Sequence, residues 1–261
     1  MRTVRLDLAY RGTGFRGFAA NEGVRTVAGD LASALEQITG EAPALVVAGR
    51  TDAGVHATAQ VVSFRIGGEG LRRITDGTPQ DTGLDRLASS LNRRVNPDIA
   101  ITAAALADDD FDARRSATAR AYEYRARNAA HPDPRFADLE WHVRDRLDLD
   151  LMNAAARHFV GEHDFRSFCR RPKDRPGASL VRTVTRAQWH ADGALLLFDI
   201  EANAFCHQMV RAVVGHCVAV GRGDRSAKNV PAVLAARDRH AAAPIAPPHG
   251  LTLVAVRYTD A

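Results

Sequence analysis

The sequence predicts an α+β fold made of two similar halves. Two observations predict it: strand-like and helix-like segments alternate along the 261 residues, and each half contains strands that would pair antiparallel. The 46% apolar and 25% charged content is that of an ordinary globular protein. We expect two ferredoxin-like (split β-α-β) halves forming one continuous mixed, mostly antiparallel sheet, with helices on one face and the other face free for a ligand.

The first half begins with the alternating strand pattern "TVRLDLAY". A helix follows at "TVAGDLASALEQITG", where the final glycine is typical of a helix end. Strands at "ALVVAG" and "AQVVSFRI" lie on either side of a tight turn. The segment "GLDRLASSLNRRV" predicts a second helix, and "IAITAAALA" predicts a further strand.

The second half repeats this order, starting with the strand pattern "RAYEYRARN". Helices are predicted at "DLDLMNAAARHFVG", "CHQMVRAVVGHCVAVG" and "NVPAVLAARD". A hairpin at "RTVTRAQWHADGALLLFDIEANAF" turns near Asp192 and Gly193, and "LTLVAVRYT" is a closing strand. The periodicity breaks near residues 106–115, so we predict domains at 1–106 and 107–261.

Charge and cysteine content limit the classes of protein. The net charge of +4 favours a nucleic-acid partner only weakly. Two of the 35 basic residues are lysines, and the arginines that make up the rest suit phosphate contacts, although a compositional bias is equally compatible. Three cysteines favour a reducing compartment over a disulfide framework. The sequence shows no signal peptide or membrane span, so we expect a cytoplasmic protein.

The segment "GRTDAGVH" is the strongest candidate for a functional site. Gly49 and Gly54 lie on either side of a tight turn with Asp52 at its tip, and Arg50 lies two residues earlier. A nearby cation favours an ionised carboxylate, which can act as a nucleophile or a base. On spacing alone, a turn aspartate bonded to its own backbone and a surface arginine remain the simpler interpretation.

Five segments, in order along nearly the whole chain, resemble the tRNA pseudouridine synthase A family. They are "GRTDAGVHATAQVVSF", "FDARRSATARAYEYRARN", "HDFRSFC" with "RTV", "ANAFCHQMVRAVVG" and "GLTLVAVRY". The resemblance implies pseudouridine formation at positions 38, 39 and 40 of the tRNA anticodon arm, by a homodimer that needs no cofactor and no metal. It also implies a basic RNA-binding cleft on the free face of the sheet.

The resemblance also implies roles for individual residues. Asp52 matches the family nucleophile and Tyr122 the tyrosine that stacks on the target uracil. Arg211 matches the arginine that pairs with the catalytic aspartate, while Arg50 and Arg25 are expected to bind the substrate. Without the resemblance, Tyr122 would be a half-buried strand residue and Arg211 could extend to the helix rim. An unpaired guanidinium in this apolar helix would be costly, so we expect a buried acidic partner.

Some positions depart from the family pattern. The segment "RGFAAN" has Phe18 where tryptophan is typical and Ala19 in place of a glutamine. Ala28 stands where glutamine is common, and Asp112 where histidine is frequent. The resemblance implies that the segment with Phe18, Ala19 and Ala28 contacts RNA, so its changes concern substrate details more than the chemistry.

The arginine-rich segments "LNRRVN", "DARRSATAR" and "CRRPKDRPG" would track phosphates, the last as a mobile loop, or would be solvated surface. Three alternatives stay open: a non-catalytic tRNA-binding module of the same fold, a hydrolase using Asp52 and His56, and a zinc site. The zinc alternative would use Cys206, Cys217 and the histidines near them, although their spacing does not favour it.

Overall fold

The computed structural model describes residues 1–75, 79–170 and 177–259. Two compact units are present, Met1–Thr118 with Leu253–Ala261, and Ala119–Thr252. Each contains a mostly antiparallel sheet with helices packed on it, so the predicted α+β fold class is confirmed. The division between residues 106 and 107 and the basic cleft stay predictions.

The first unit is a sheet with the strand order β4-β1-β3-β10, in which the short strand β2 also pairs with β3. Strand β1 pairs antiparallel with both β3 and β4. Fully buried leucines of β1 and of the helices form its core. The elements are β1 (Arg2–Tyr10), α1 (Val27–Thr39), β2 (Val46–Val47), β3 (His56–Ile66), α2 (Gly68–Thr75), α3 (Gln80–Val95), β4 (Ile99–Ala107) and β10 (Leu251–Tyr258).

Helix α1 has the ends that its sequence predicts. The Thr26 hydroxyl accepts a hydrogen bond from the backbone N–H of Gly29 at 3.1 Å and caps the first turn. Gly40 ends the helix in the left-handed region at φ 72°. The apolar face buries Leu31 and Leu35, which leaves the polar face to solvent.

The second unit has the strand order β5-β9-β8-β7, and β6 pairs parallel with β5. Helix α5 is buried along almost its entire length, which explains its apolar sequence on all sides. The elements are β5 (Ala117–Asn128), β6 (Trp141–Val143), α4 (Leu149–Arg157), β7 (Gly161–Asp164), β8 (Val181–Asp192), β9 (Leu195–Ala202), α5 (Met209–Gly221) and α6 (Val230–Ala236).

In both units, an asparagine side chain on a helix forms two hydrogen bonds to the backbone of a strand. The amide of Asn92 on α3 donates to the carbonyl of Ile101 at 2.9 Å and accepts from its N–H at 2.7 Å. Asn153 on α4 makes the same two bonds to Trp189, at 3.0 and 2.9 Å. Each asparagine therefore satisfies backbone groups of a strand as a neighbouring strand would.

Several element bounds differ from the sequence prediction. The pattern does not predict α2, β6 or β7, which are short or polar. The strand predicted at "ALVVAG" is reduced to β2, since the following residues enter the turn. The helix predicted from Cys206 begins at Met209, because Gln208 has a left-handed φ of 66°. Helix α4 ends at Arg157, where a continuation to Gly161 was expected.

Two findings concern the described ranges alone. No helix there is long and apolar enough to cross a membrane. The basic segment predicted to form a mobile loop at 169–177 lies mostly outside them, because residues 171–176 are not described.

Candidate active site

The predicted loop joins β2 to β3 in the first unit, with Asp52 half-buried near its tip. The N–H of Val55 donates to the carbonyl of Asp52 at 3.2 Å and closes a tight turn, in which Gly54 has a φ of 79°. The N–H of Phe18 donates to the carbonyl of Thr51 at 3.1 Å. The backbone on either side of the carboxylate is therefore fixed.

Buried polar side chains join Thr51 of the loop to Tyr10 and Gln60 beneath it. The Tyr10 hydroxyl is 2.8 Å from Thr51 Oγ1 and accepts a hydrogen bond from Gln60 Nε2 at 3.1 Å. Gln60 Nε2 also donates to the carbonyl of Gly49 at 2.8 Å. Burial raises the pKa of Tyr10 to about 12, although its bonds to Thr51 and Gln60 work in the opposite direction. Tyr10 is therefore a neutral hydroxyl group at working pH.

His56 holds the end of the loop against the segment after β1. Its Nδ1 accepts a hydrogen bond from the N–H of Gly12 at 3.0 Å, and the ring is buried. A Cβ atom on Gly12 would overlap with the carbonyl oxygen of Val55, so only glycine permits this approach. The geometry agrees with a bracing role for His56 and gives no support to its use as the base of a hydrolase.

Arg25 is engaged by two carboxylates. Its Nη1 donates to Asp98 Oδ2 at 2.7 Å and its Nε to Asp30 Oδ2 at 2.9 Å. The guanidinium also lies 4.4 Å from the ring centre of Phe15. The bond to Asp98 is the main cause of the raised pKa of Arg25. These contacts orient the side chain on a surface where it remains about half exposed.

Arg50 lies on the loop, and the segment "RGFAAN" contacts the loop through Phe18. Arg50 is exposed, as expected for a residue that would contact substrate. Phe18 is buried, and its ring centre lies 6.1 Å from that of Tyr10. Its backbone carbonyl accepts from the N–H of Ala28 at 2.9 Å. Phe18 is therefore part of the support for the loop.

Tyr122 lies in β5 of the second unit, opposite Ile200 of β9. The side chain is buried, with 7% exposed. Its ring meets that of Phe205 edge to face, with the centres 5.1 Å apart and an interplanar angle of 90°. The stacking role of Tyr122 stays a prediction.

Arg211 lies on α5 and is 9% exposed, so it does not extend to the helix rim. Its Nε donates to the carbonyl of Ala246 at 2.8 Å, and its own carbonyl accepts from the N–H of Ala246 at 3.0 Å. Its positive charge also lowers the pKa of nearby Tyr124, against the larger effect of burial, which raises it. The side chain and the backbone of Arg211 therefore each hold the segment after α6 through one hydrogen bond to Ala246.

The five predicted residues divide between the two units. Arg25, Arg50 and Asp52 belong to the first unit, and Tyr122 and Arg211 to the second. Asp52 and Arg50 are neighbours on one loop. The ion pair between Asp52 and Arg211, and the approach of Tyr122 to the carboxylate, stay predictions.

The expectation about cysteines is wrong in part, because Cys169 and Cys206 form a disulfide with their Cα atoms 5.9 Å apart. The two are 37 residues apart in sequence, and a backbone bond between Arg170 N and the carbonyl of His207 brings their segments together. Sequence spacing gives no indication of such a pairing. Cys217 is a buried free thiol. Across the described ranges no cluster of three metal-ligating side chains was found.

The sequence does not predict Tyr10 and Gln60 beneath the loop, or Thr51 on the loop, as residues of the site. The sequence carries one signal: in "AQVVSF", Gln60 places an amide group in a strand segment that is mostly apolar. A buried amide must find hydrogen-bond partners, so this residue indicated a local polar network.

Comparison with known sequences gives the class of protein, an enzyme class that modifies tRNA. Residues 155–259 match a family model described as tRNA pseudouridine synthase. A protein from Frankia casuarinae named tRNA pseudouridine synthase A is 44% identical, over 98% of this chain and 89% of its own length.

Two further relatives carry the same name. The protein from Leifsonia xyli is 42% identical over 97% of this chain and 91% of its own length. That from Moorella thermoacetica is 37% identical over 99% of this chain and its whole length. The chain belongs to the tRNA pseudouridine synthase A family.

Proposed function

We propose that this protein isomerises uridine to pseudouridine in the anticodon stem-loop of tRNA, at positions 38, 39 and 40, with Asp52 as the nucleophile. The coarser part, pseudouridine formation in tRNA by an isomerase, follows from family membership. The observation that supports Asp52 is its place on a loop whose backbone is fixed by buried hydrogen bonds on both sides.

The reaction breaks the N1–C1′ glycosidic bond, turns the uracil and joins it to the ribose through C5. The C5 proton leaves and N1 gains a proton, so substrate and product have the same composition, and no oxidant or reductant is consumed. A target uridine inside a stem must be extruded first, at a cost of a few kcal/mol.

Asp52 has three routes open to it: attack at C1′, addition to C6 of the ring, or removal of a ribose proton. Each route requires an ionised carboxylate next to the junction of sugar and base. In our proposal, Arg211 pairs with that carboxylate and Tyr122 stacks on the uracil. Arg50 and Arg25 bind the RNA backbone around the extruded nucleotide.

The test uses tRNA labelled with tritium at C5 of uridine, because rejoining through C5 releases the label to water. Asp52→Asn and Asp52→Ala should bind tRNA with nearly unchanged affinity and release no tritium. Asp192→Asn is the matched control, since this carboxylate is exposed at the hairpin turn. Tritium release by either Asp52 variant would remove the nucleophile assignment.

Position specificity is tested with transcripts that carry uridine at only one of positions 38, 39 and 40. Reaction with each, and none with a transcript lacking all three, is expected. A protein that binds these transcripts but releases no tritium from any would be a non-catalytic tRNA-binding module.

Our proposal includes a homodimer acting in the cytoplasm, without a cofactor or a metal. Light scattering of the purified protein should give twice the chain mass of 28.2 kDa. A monomer at the concentrations used in the assay would contradict the dimer.

A further inference from the structure

We propose that Tyr10 and Gln60 are positioning residues that set the geometry of the Asp52 loop through one buried chain of hydrogen bonds. This inference rests on the proposed role of Asp52. Neither side chain is expected to touch the substrate, because both are buried beneath the loop, with 5% and 0% exposed.

The sheet brings the two side chains together. Leu8 of β1 lies opposite Gln60 of β3, and Tyr10 lies two residues further along β1. Side chains two residues apart on a strand point to the same face, so Tyr10 and Gln60 share a face. The register between β1 and β3 shifts between Leu8 and Tyr10, which marks a β-bulge next to the loop.

The hydrogen bonds of the chain run from Gln60 through Tyr10 to Thr51. Gln60 Nε2 uses its two N–H groups on Tyr10 Oη at 3.1 Å and the Gly49 carbonyl at 2.8 Å. The hydroxyls of Tyr10 and Thr51 are 2.8 Å apart, and either of them can donate to the other. The raised pKa of Tyr10 keeps its hydroxyl protonated.

The chain of hydrogen bonds holds the loop at two residues, Gly49 and Thr51. These residues lie on either side of Arg50, and Thr51 directly precedes Asp52. Loss of the Tyr10 hydroxyl removes the hydrogen bond to Thr51 and leaves a buried N–H of Gln60 without its acceptor. The expected result is a carboxylate that samples other positions, so that fewer bound substrates meet it in the reactive geometry.

Tyr10→Phe is the first test, and Tyr258→Phe is its matched control. The Tyr258 hydroxyl also makes a 2.8 Å bond within the first unit, to the carbonyl of Ala113, a residue outside the loop. Both variants should lose similar thermal stability. Tyr10→Phe should lower kcat about tenfold and leave KM for tRNA within about twofold, whereas Tyr258→Phe should keep the parent kcat.

Gln60→Met supplies a second route, because it keeps the length of the side chain and removes both donors. It should lower kcat at least as much as Tyr10→Phe. The double variant should lose no more than the larger single effect, since both changes break one chain. A double variant in which the two losses multiply would overturn the shared-chain model.

The outcomes separate this inference from the proposed function. If Asp52→Asn is inactive while Tyr10→Phe and Gln60→Met keep the parent kcat, the positioning role is wrong and the nucleophile stands. If Tyr10→Phe changes KM and not kcat, the positioning role is also wrong. If Asp52→Asn retains turnover, the proposed function fails and the inference falls with it.

Discussion

His216 should make the stability of the second unit depend on pH between about 7 and 4. The ring is buried, with 1% exposed, and its Nδ1 accepts from the N–H of Ala243 at 3.3 Å. Burial lowers its pKa from 6.5 to about 4, and the positive charges of Arg225 and Arg239 act in the same direction. The folded state therefore requires the neutral ring.

The direction and size of the effect follow from the two pKa values. Below pH 6.5 the unfolded chain binds a proton that the folded chain does not bind until about pH 4, so acid favours unfolding. Between pH 7 and pH 5 the difference amounts to about 2 kcal/mol, and over the whole window to about 3 kcal/mol. Carboxylates whose pKa is lowered in the folded state, such as Asp112, affect stability only at lower pH, because their pKa in the unfolded chain is 3.8.

Urea unfolding followed by tryptophan fluorescence measures this effect. Both tryptophans, Trp141 and Trp189, lie in the second unit with His216, so the signal reports that unit. The glutamine in His216→Gln does not titrate and can still accept a hydrogen bond. This variant should be less stable than the parent at pH 7 and should lose about 2 kcal/mol less on going to pH 5.

His131→Gln provides the control for the same substitution at an exposed histidine outside the core. Should His216→Gln lose the same stability between pH 7 and 5 as the parent, the burial argument for this histidine would be refuted. If His216→Gln and His131→Gln changed the pH dependence of the free energy of unfolding equally, the effect would not be specific to the buried histidine.

Three further outcomes are expected. Gly12→Ala should lower both the melting temperature and the activity, since its Cβ would overlap with the Val55 carbonyl, whereas Gly68→Ala, with open space around it, should leave both near parent values; equal effects would contradict the packing argument. Protein purified without reductant should show one reactive thiol in denaturant, Cys217, and three after reduction; three without reduction would rule out the disulfide. Affinity for tRNA should fall by orders of magnitude between 50 and 200 mM salt if six or more phosphates are contacted, and a flat dependence would remove the phosphate-tracking role of the arginine segments.

The sequence by itself determined the main elements of the fold. Alternation in β1 and β4, and the capped amphipathic pattern of α1, are local signals that depend on side chains a few residues apart. The five ordered motifs identified the family, and "GRTDAGVH" identified the candidate loop with Asp52 at its tip. These features need no knowledge of distant contacts.

Only the tertiary structure decided what holds that loop and which distant residues meet. Tyr10 and Gln60 are 50 residues apart, and Cys169 and Cys206 are 37 apart. Such pairs depend on strand register and chain crossings, which local periodicity does not encode. The bulge of β3 opposite β1 and the left-handed Gln208 at the start of α5 are likewise set by packing, because many neighbours must fit at once before the chain adopts them.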